Sequence, residues 1–347
     1  MKQWILKLLK IIGIALTVLL AGLIILIFFT GPKLPENADS IIDQVLDSPI
    51  PELVKGESGY IVSDNTKIWY ESVMPKDTNK GAVLLFMGIS NDALGWPQKF
   101  TDKFVENGYQ VIRFDYRGTG FSDWVENWEE KPYALADLAT DAKIILDTLK
   151  IKKVHLVGVS LGGMVAQEFA IKYTDRTKTL TSIMSSGNIT DPELPQISKR
   201  VVFDLVKTAI KYGIISNEKN TIKLQLAART ILRGNAHYPI NVKDISEQIL
   251  YNLRKRNGYN LNASSQHHEA TYRSGSRYDQ LKELKLPVLI IHGINDPFIP
   301  IEHSKKLAKI IPHSKTKWFE NMGHDIQPVH MEAISQEIIL NFGSDRY

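Results

Sequence analysis

Cysteine is missing from this 347-residue sequence. Disulfides and thiolate-held metal sites are therefore excluded, and the chain suits any redox compartment without selecting one. Internal repeats and low-complexity segments are also missing, so a solenoid or fibrous architecture has no support. A charge excess is nearly missing: Lys and Arg number 42 against 38 Asp and Glu, a net charge of +4. Lys2, Lys7, Lys10 and Lys33 account for all of it, because residues 1–33 hold no acid and residues 34–347 balance. That balance suggests no basic face, and no nucleic-acid partner is expected.

What is present near the N-terminus is a run without charge from Ile11 to Thr30, 20 positions long. As a helix rising ~1.5 Å per residue it spans about 30 Å, the thickness of a bilayer's hydrocarbon core. A cleaved secretory signal has a shorter run and a small-x-small cleavage site. Here the run leaves through Phe28-Phe29-Thr30-Gly31-Pro32-Lys33, which offers none. The expectation is an uncleaved single-pass anchor in the cell membrane over residues 11–30. Three lysines precede it and one follows, which puts the N-terminus in the cytoplasm and the rest outside.

Residues 34–58 carry Pro35, Pro49 and Pro51 and read as a linker with a short helix at 41–46. Strand patterns follow at 60–62 and 68–70, then a continuous apolar run at 82–87 of the kind buried on both faces. Helix and strand then alternate: helix 97–107, strand 110–114, helix 134–149, strand 154–159, and strand 180–184 after a further helix. Residues 188–283 are helix-rich with no clear strand. The alternation resumes with strand 287–291, helix 302–311, strand 315–319 and helix 329–342. This predicts an α/β fold with a mostly parallel sheet, its core formed by 59–187 and 284–347 and interrupted by a helical cap at 188–283. Residues 1–33 form the N-terminal flank and anchor.

Within that pattern Gly158-Val159-Ser160-Leu161-Gly162 joins a strand to a helix. G-x-S-x-G at such a junction is a turn that exposes a nucleophilic serine, and Gly158 and Gly162 keep side chains out of its crowded backbone. A serine hydroxyl needs a base, commonly a histidine oriented by a carboxylate. In this type of fold the chain order is serine, acid, histidine. Asp296 follows the strand at 287–291 and His324 follows the strand at 315–319. Asp325 and Asp191 are rival acids, with Asp296 preferred. The developing oxyanion needs two backbone N–H donors. Leu161, next after the nucleophile, and Ile89, in the loop after the strand at 82–87, are the expected pair.

Gly158–Gly162, the segment Asp115-Tyr116-Arg117-Gly118-Thr119-Gly120-Phe121-Ser122, Asp296 and His324 together resemble the α/β-hydrolase superfamily over about residues 57–342. Met87-Gly88, Ala93-Leu94-Gly95-Trp96-Pro97 and Met322-Gly323-His324 look closer still to the aclacinomycin methylesterase group. The resemblance implies a serine esterase with a helical cap, needing no cofactor and no metal. Many superfamily members read His-Gly where this chain has Met87-Gly88, a change that spares backbone donors but removes a bracing histidine. Serine at the elbow disfavours the epoxide hydrolase and dehalogenase reactions, which use aspartate there. The anchor lies outside the resemblance.

Asp115 and Arg117 read as braces of a turn below the site. Trp96 is a candidate for the pocket entrance, and His267 and His268 for the pocket itself. Adjacent helical positions do not share a face well, so a metal held by that pair is not expected. The leading expectation is a membrane-anchored enzyme acting on a small-molecule carboxylic ester. The alternatives are an acyltransferase or cofactor-free, haloperoxidase-like perhydrolase with the same triad, or a ligand-binding or signalling module on a hydrolase scaffold.

Overall fold

The computed structural model describes residues 2–30 and 32–344. Met1 and Gly31, in the expected anchor region, and 345–347, at the end of the expected core, lie outside the described residues. The chain begins with α1 (Lys2–Thr30) and α2 (Ala38–Leu46), then β1 (Glu57–Ser63), β2 (Thr66–Val73) and β3 (Gly81–Phe86). Next come α3 (Gln98–Glu106), β4 (Tyr109–Phe114), α4 (Leu135–Thr148), β5 (Val154–Val159), α5 (Leu161–Lys172) and β6 (Thr177–Ile183). Five helices follow: α6 (Lys199–Gly213), α7 (Glu218–Leu232), α8 (Val242–Lys255), α9 (Leu261–Ser274) and the short α10 (Tyr278–Leu281). The chain closes with β7 (Val288–Gly293), α11 (Ile301–Ile310), β8 (Lys315–Phe319) and α12 (Pro328–Phe342).

The strands form one sheet in the order β1-β2-β4-β3-β5-β6-β7-β8. β1 and β2 run antiparallel, β2 meets β4 antiparallel, and every later pair is parallel. The apolar runs explain the inner positions. Successive side chains of a strand point to opposite faces, so a strand covered by helices on both sides must be apolar throughout. Leu84, Phe86, Leu156 and Ile290 pack on one face with α4 and α5 residues such as Leu138 and Phe169. Their neighbours Val83, Leu85, Val157 and Ile291 pack on the other with Phe100 and Phe104 of α3 and Ile334 of α12. All six residues of β5 are buried, at the middle of the sheet.

The segment 34–58, expected as a linker, is packed against the protein. Ala38, Ile42 and Val45 recur along α2 at helical spacing and are buried. Ala38 and Ile42 join Ile222 and Leu226 of α7 and Val242, Ile245 and Ile249 of α8 in one apolar cluster. Further on, the Arg113 guanidinium donates to Leu53 O (2.8 Å), and the Lys55 and Gly56 N–H groups donate to Glu71 Oε1 (2.5 and 2.7 Å). Glu71 and Arg113 are a buried ion pair at 2.5 Å. The physical reason is the apolar stripe of α2, which cannot stay in water when a complementary helical face lies beside it.

α1 is the one described helix long and apolar enough to cross a membrane. Nearly all of it is exposed; it touches α6 and buries Ile27 near its C-terminal end.

Candidate active site

Ser160 stands between β5 and α5 with φ 57° and ψ −123°, a backbone conformation that L-residues rarely adopt. The surroundings hold it there. Its N–H donates to Ile183 O at 2.8 Å, and its carbonyl accepts from Ser185 Oγ at 2.7 Å. The two elbow glycines are sterically required. A Cβ on Gly158 would fall 2.2 Å from Gly162 O, and one on Gly162 would fall 2.0 Å from Phe86 O.

Turns after β7 and β8 bring two further side chains to the same end of the sheet. His324 Nε2 lies 3.0 Å from Ser160 Oγ, and its Nδ1 lies 2.6 Å from Asp296 Oδ2. Asp296 is itself fixed, because its Oδ1 accepts the Phe298 and Ile299 N–H groups at 2.8 and 2.9 Å. His292 Nε2 lies 2.8 Å from Ile299 O and 3.2 Å from Asp296 Oδ2. A carbonyl can only accept, so that nitrogen carries the proton and donates. Burial alone would raise the Asp296 pKa, but the interaction with His324 and the hydrogen bonds from His292 and His324 outweigh it. The carboxyl is held well below the usual carboxylate range and is ionised.

Neither rival acid reaches His324. Asp325 accepts from Arg229 Nη1 at 3.0 Å and from Gln327. Asp191 accepts from the Tyr278 hydroxyl at 2.8 Å and pairs with Lys306 at 2.6 Å.

Above Ser160 lies the loop after β3. At Gly88 in this loop a Cβ would sit 3.6 Å from Ser160 Cβ. Among the described residues, neither the Ile89 nor the Leu161 N–H has a backbone acceptor, and Leu161 opens α5. Two such amides near Ser160, one at a helix N-terminus, suit an incoming negative charge.

The structure differs from expectation for the histidine pair. His267 is fully buried and outside the cavity lining. Its Nε2 lies 3.0 Å from Arg117 O and its Nδ1 3.3 Å from the Ser90 N–H. Burial pushes the imidazole down to about 4, so it is neutral at pH 7. Nε2–H therefore donates to Arg117 O while Nδ1 accepts from Ser90. His267 thus props the loop that carries Ile89. His268 faces solvent, edge-on to Tyr272. Adjacent helical residues project about 100° apart, so one turns inward and the other outward. Trp96 is buried, stacks on Phe100 at 5.5 Å and forms part of the cavity wall.

Asp115 accepts the Ala93 and Phe121 N–H groups at 2.9 and 2.8 Å, and Arg117 grips Asp141 with two bonds of 2.7 Å. A residue not foreseen, Arg256 after α8, pairs with Asp115 and lies 3.3 Å from Asp92. Its guanidinium sits 4.5 and 4.7 Å from the ring centroids of Trp69 and Phe121. A cap residue is thereby tied to the loop between β3 and α3. No spacing in the sequence announces such a pair. A second tie is the His324 N–H, which donates to Leu232 O of α7 at 2.8 Å.

Ser160 and His324 open into a cavity of about 390 Å³. Its walls are Met87, Ile89, Trp96, Val159, Met184 and Phe298 from the sheet side, and Leu205, Ala228, Arg229, Leu232 and Leu261 from α6, α7 and α9. A neighbouring cavity of about 410 Å³ shares Trp96, Arg229 and Ile326 but reaches neither Ser160 nor His324. No group of three or more potential metal ligands of the His, Asp and Glu type occurs among the described residues.

Residues 81–330 match the family model described as alpha/beta hydrolase fold. The chain is 27% identical to rhodomycin D methylesterase DauP of Streptomyces sp. (strain C5) over 293 residues, 80% of this chain and 95% of that protein. It is 25% identical over 265 residues to the 2-hydroxy-6-oxononadienedioate/2-hydroxy-6-oxononatrienedioate hydrolase of Comamonas testosteroni, 75% of this chain and 87% of that protein. Among solved structures, the meta-cleavage product hydrolase CumD of Pseudomonas fluorescens IP01 superposes with a TM-score of 0.62 at 21% identity, covering 82% of this chain and 97% of that one. A membrane phospholipase A superposes with a TM-score of 0.61 at 17% identity, covering 100% of this chain and 99% of that one. At these identities the two structural likenesses are likenesses of fold.

Proposed function

The chain belongs to the alpha/beta hydrolase fold family, and on that premise we propose that it is a membrane-anchored serine hydrolase of carboxylic esters. The observation that carries the reading is the unbroken relay Ser160 Oγ–His324 Nε2 (3.0 Å), His324 Nδ1–Asp296 Oδ2 (2.6 Å). In it, the ionised Asp296 holds the proton of His324 on Nδ1, which leaves Nε2 free to accept one from Ser160.

The steps follow from these groups. Ser160 Oγ attacks the ester carbonyl carbon while its proton passes to His324 Nε2. The carbonyl oxygen becomes an oxyanion and accepts hydrogen bonds from the Ile89 and Leu161 N–H groups. The tetrahedral carbon expels the alkoxide, which takes the proton from His324 and leaves as alcohol. Water then attacks the acyl-enzyme with His324 as base, and Ser160 is regenerated as the acid departs. The relationship to the rhodomycin D methylesterases supports an ester as the scissile group.

α1 supports the anchor by its length and exposed apolar surface. Lys2, Lys7 and Lys10 before the apolar run favour a cytoplasmic N-terminus, with the α/β core on the other side. The test is Ser160→Ala in the full-length protein. It abolishes hydrolysis of short p-nitrophenyl esters, and turnover like that of the unaltered enzyme would sink the assignment.

A further inference from the structure

α6 carries an exposed apolar face that the soluble part of the protein does not cover. Val202, Phe203 and Val206 lie along it at helical spacing, and Phe203 is 56% exposed. Ile214 and Ile215, just past its end, are exposed as well. A contiguous apolar patch of this kind marks an interaction surface. One edge of the face carries three cations against one acid: Arg200, Lys207 and Lys211 beside Asp204. Asp204 pairs with Lys207 at 2.6 Å and with Arg200 at 3.9 Å, and Lys207 Nζ lies 4.9 Å from the Phe203 ring centroid. An apolar face bordered by cations is the pattern of a helix lying in a lipid–water interface.

Three further observations identify what covers it. α1 touches α6. The connection from Thr30 to α2 consists of residues 31–37 alone, which span at most about 25 Å when extended. α2 is packed into α7 and α8, so the cap helices stand close to the exit of the span. Finally, the same helix that exposes Val206 sends Leu205 into the wall of the Ser160 cavity, and Leu261, 85% exposed, lines its rim.

We propose that α6 lies on the bilayer surface from which α1 emerges, and that the cavity takes its ester from that bilayer along α6 and Leu261. The substrate class is then an amphiphilic lipid ester. This rests on the serine-hydrolase reading for the chemistry, but the placement of α6 does not depend on it.

Because the chain has no cysteine, single cysteines can be labelled cleanly. Full-length Val206→Cys, Ile214→Cys and, as a control, Glu283→Cys carry a solvent-sensitive fluorophore in vesicles containing phosphatidylglycerol and headgroup-nitroxide lipid. Strong quenching at 206 and 214 with little at 283 supports the placement; equal quenching at all three overturns it. Oxidative cross-linking of Val206→Cys between two copies would also overturn it, by making the face a contact between copies. In the second arm, Phe203→Asp with Val206→Asp lowers hydrolysis of an ester lipid presented in vesicles by about ten-fold or more. Hydrolysis of a soluble short-chain ester stays unchanged. An equal loss on both substrates, or a loss on neither, overturns entry from the bilayer. If the unaltered protein turns over neither ester, the hydrolase reading fails and bilayer entry of an ester with it, while the quenching still decides where α6 lies.

Discussion

Replacing Asp296 by Asn keeps the size of the side chain and removes its charge. The carboxylate lies 2.6 Å from His324 Nδ1 and is fixed by the Phe298 and Ile299 amides, so it has no freedom to be replaced by another acid. Two things are lost. The amide can turn its NH₂ toward Nδ1, which moves the imidazole proton to Nε2 and removes the acceptor for Ser160. The imidazolium formed during attack also loses its counter-charge. At an effective dielectric constant of about 20, unit charges roughly 3 Å apart attract by about 5 kcal/mol. At about 1.4 kcal/mol per factor of ten, that corresponds to a loss of roughly 10³–10⁴ in kcat. Asp325→Asn is the control, since Asp325 spends its carboxylate on Arg229 and Gln327. The assay is steady-state hydrolysis of p-nitrophenyl butyrate by both variants. Asp296→Asn within about ten-fold of the unaltered enzyme, or Asp325→Asn equally impaired, would refute the relay.

Further predictions concern the fold that holds the relay. Gly162→Ala forces a Cβ to within 2.0 Å of Phe86 O; it is expected to cost on the order of 3 kcal/mol or more of stability, read as a shift in urea midpoint. Glu71→Ala leaves Arg113 buried without its partner and frees the Lys55 and Gly56 amides. A loss of about 3–5 kcal/mol is expected in the same assay, and the double replacement of Glu71 and Arg113 by apolar residues is expected to recover much of it. His267 and His155 are pushed by burial from 6.5 down to about 4 and about 3. The native state then binds fewer protons than the unfolded chain below 6.5, so stability is full above that pH and falls as pH drops toward 3–4. Urea midpoints across pH 8 to 4 check the sign, and His267→Gln is expected to flatten the fall.

The sheet and the grouping of Ser160, Asp296 and His324 were legible because their signals are local. Val154–Val159 is a buried apolar run, Ser160 sits between two glycines at its end, and Asp296 and His324 each follow a strand. Position after a strand is enough to bring a side chain to the C-terminal edge of a parallel sheet. The cavity was not legible. Leu205, Ala228, Arg229 and Leu232 are ordinary helical positions, and only the packing of α6 and α7 over the sheet turns them toward Ser160. Arg256 and His292 were missed for the same reason, since their partners are set by tertiary contact rather than spacing. The short helix in 34–58 was legible but its docking was not, because the prolines signal a linker and the stripe Ala38, Ile42, Val45 becomes a contact only beside the faces of α7 and α8.

A serine hydrolase of this kind passes through a covalent acyl-enzyme on Ser160. The direct measurement is rapid acid quench of the full-length protein with a slowly deacylating ester, followed by peptide mass spectrometry. One added acyl mass is expected on the peptide containing Ser160, absent in Ser160→Ala and slow to form in His324→Ala. Turnover with no acyl mass on that peptide, or the same adduct in Ser160→Ala, would contradict it.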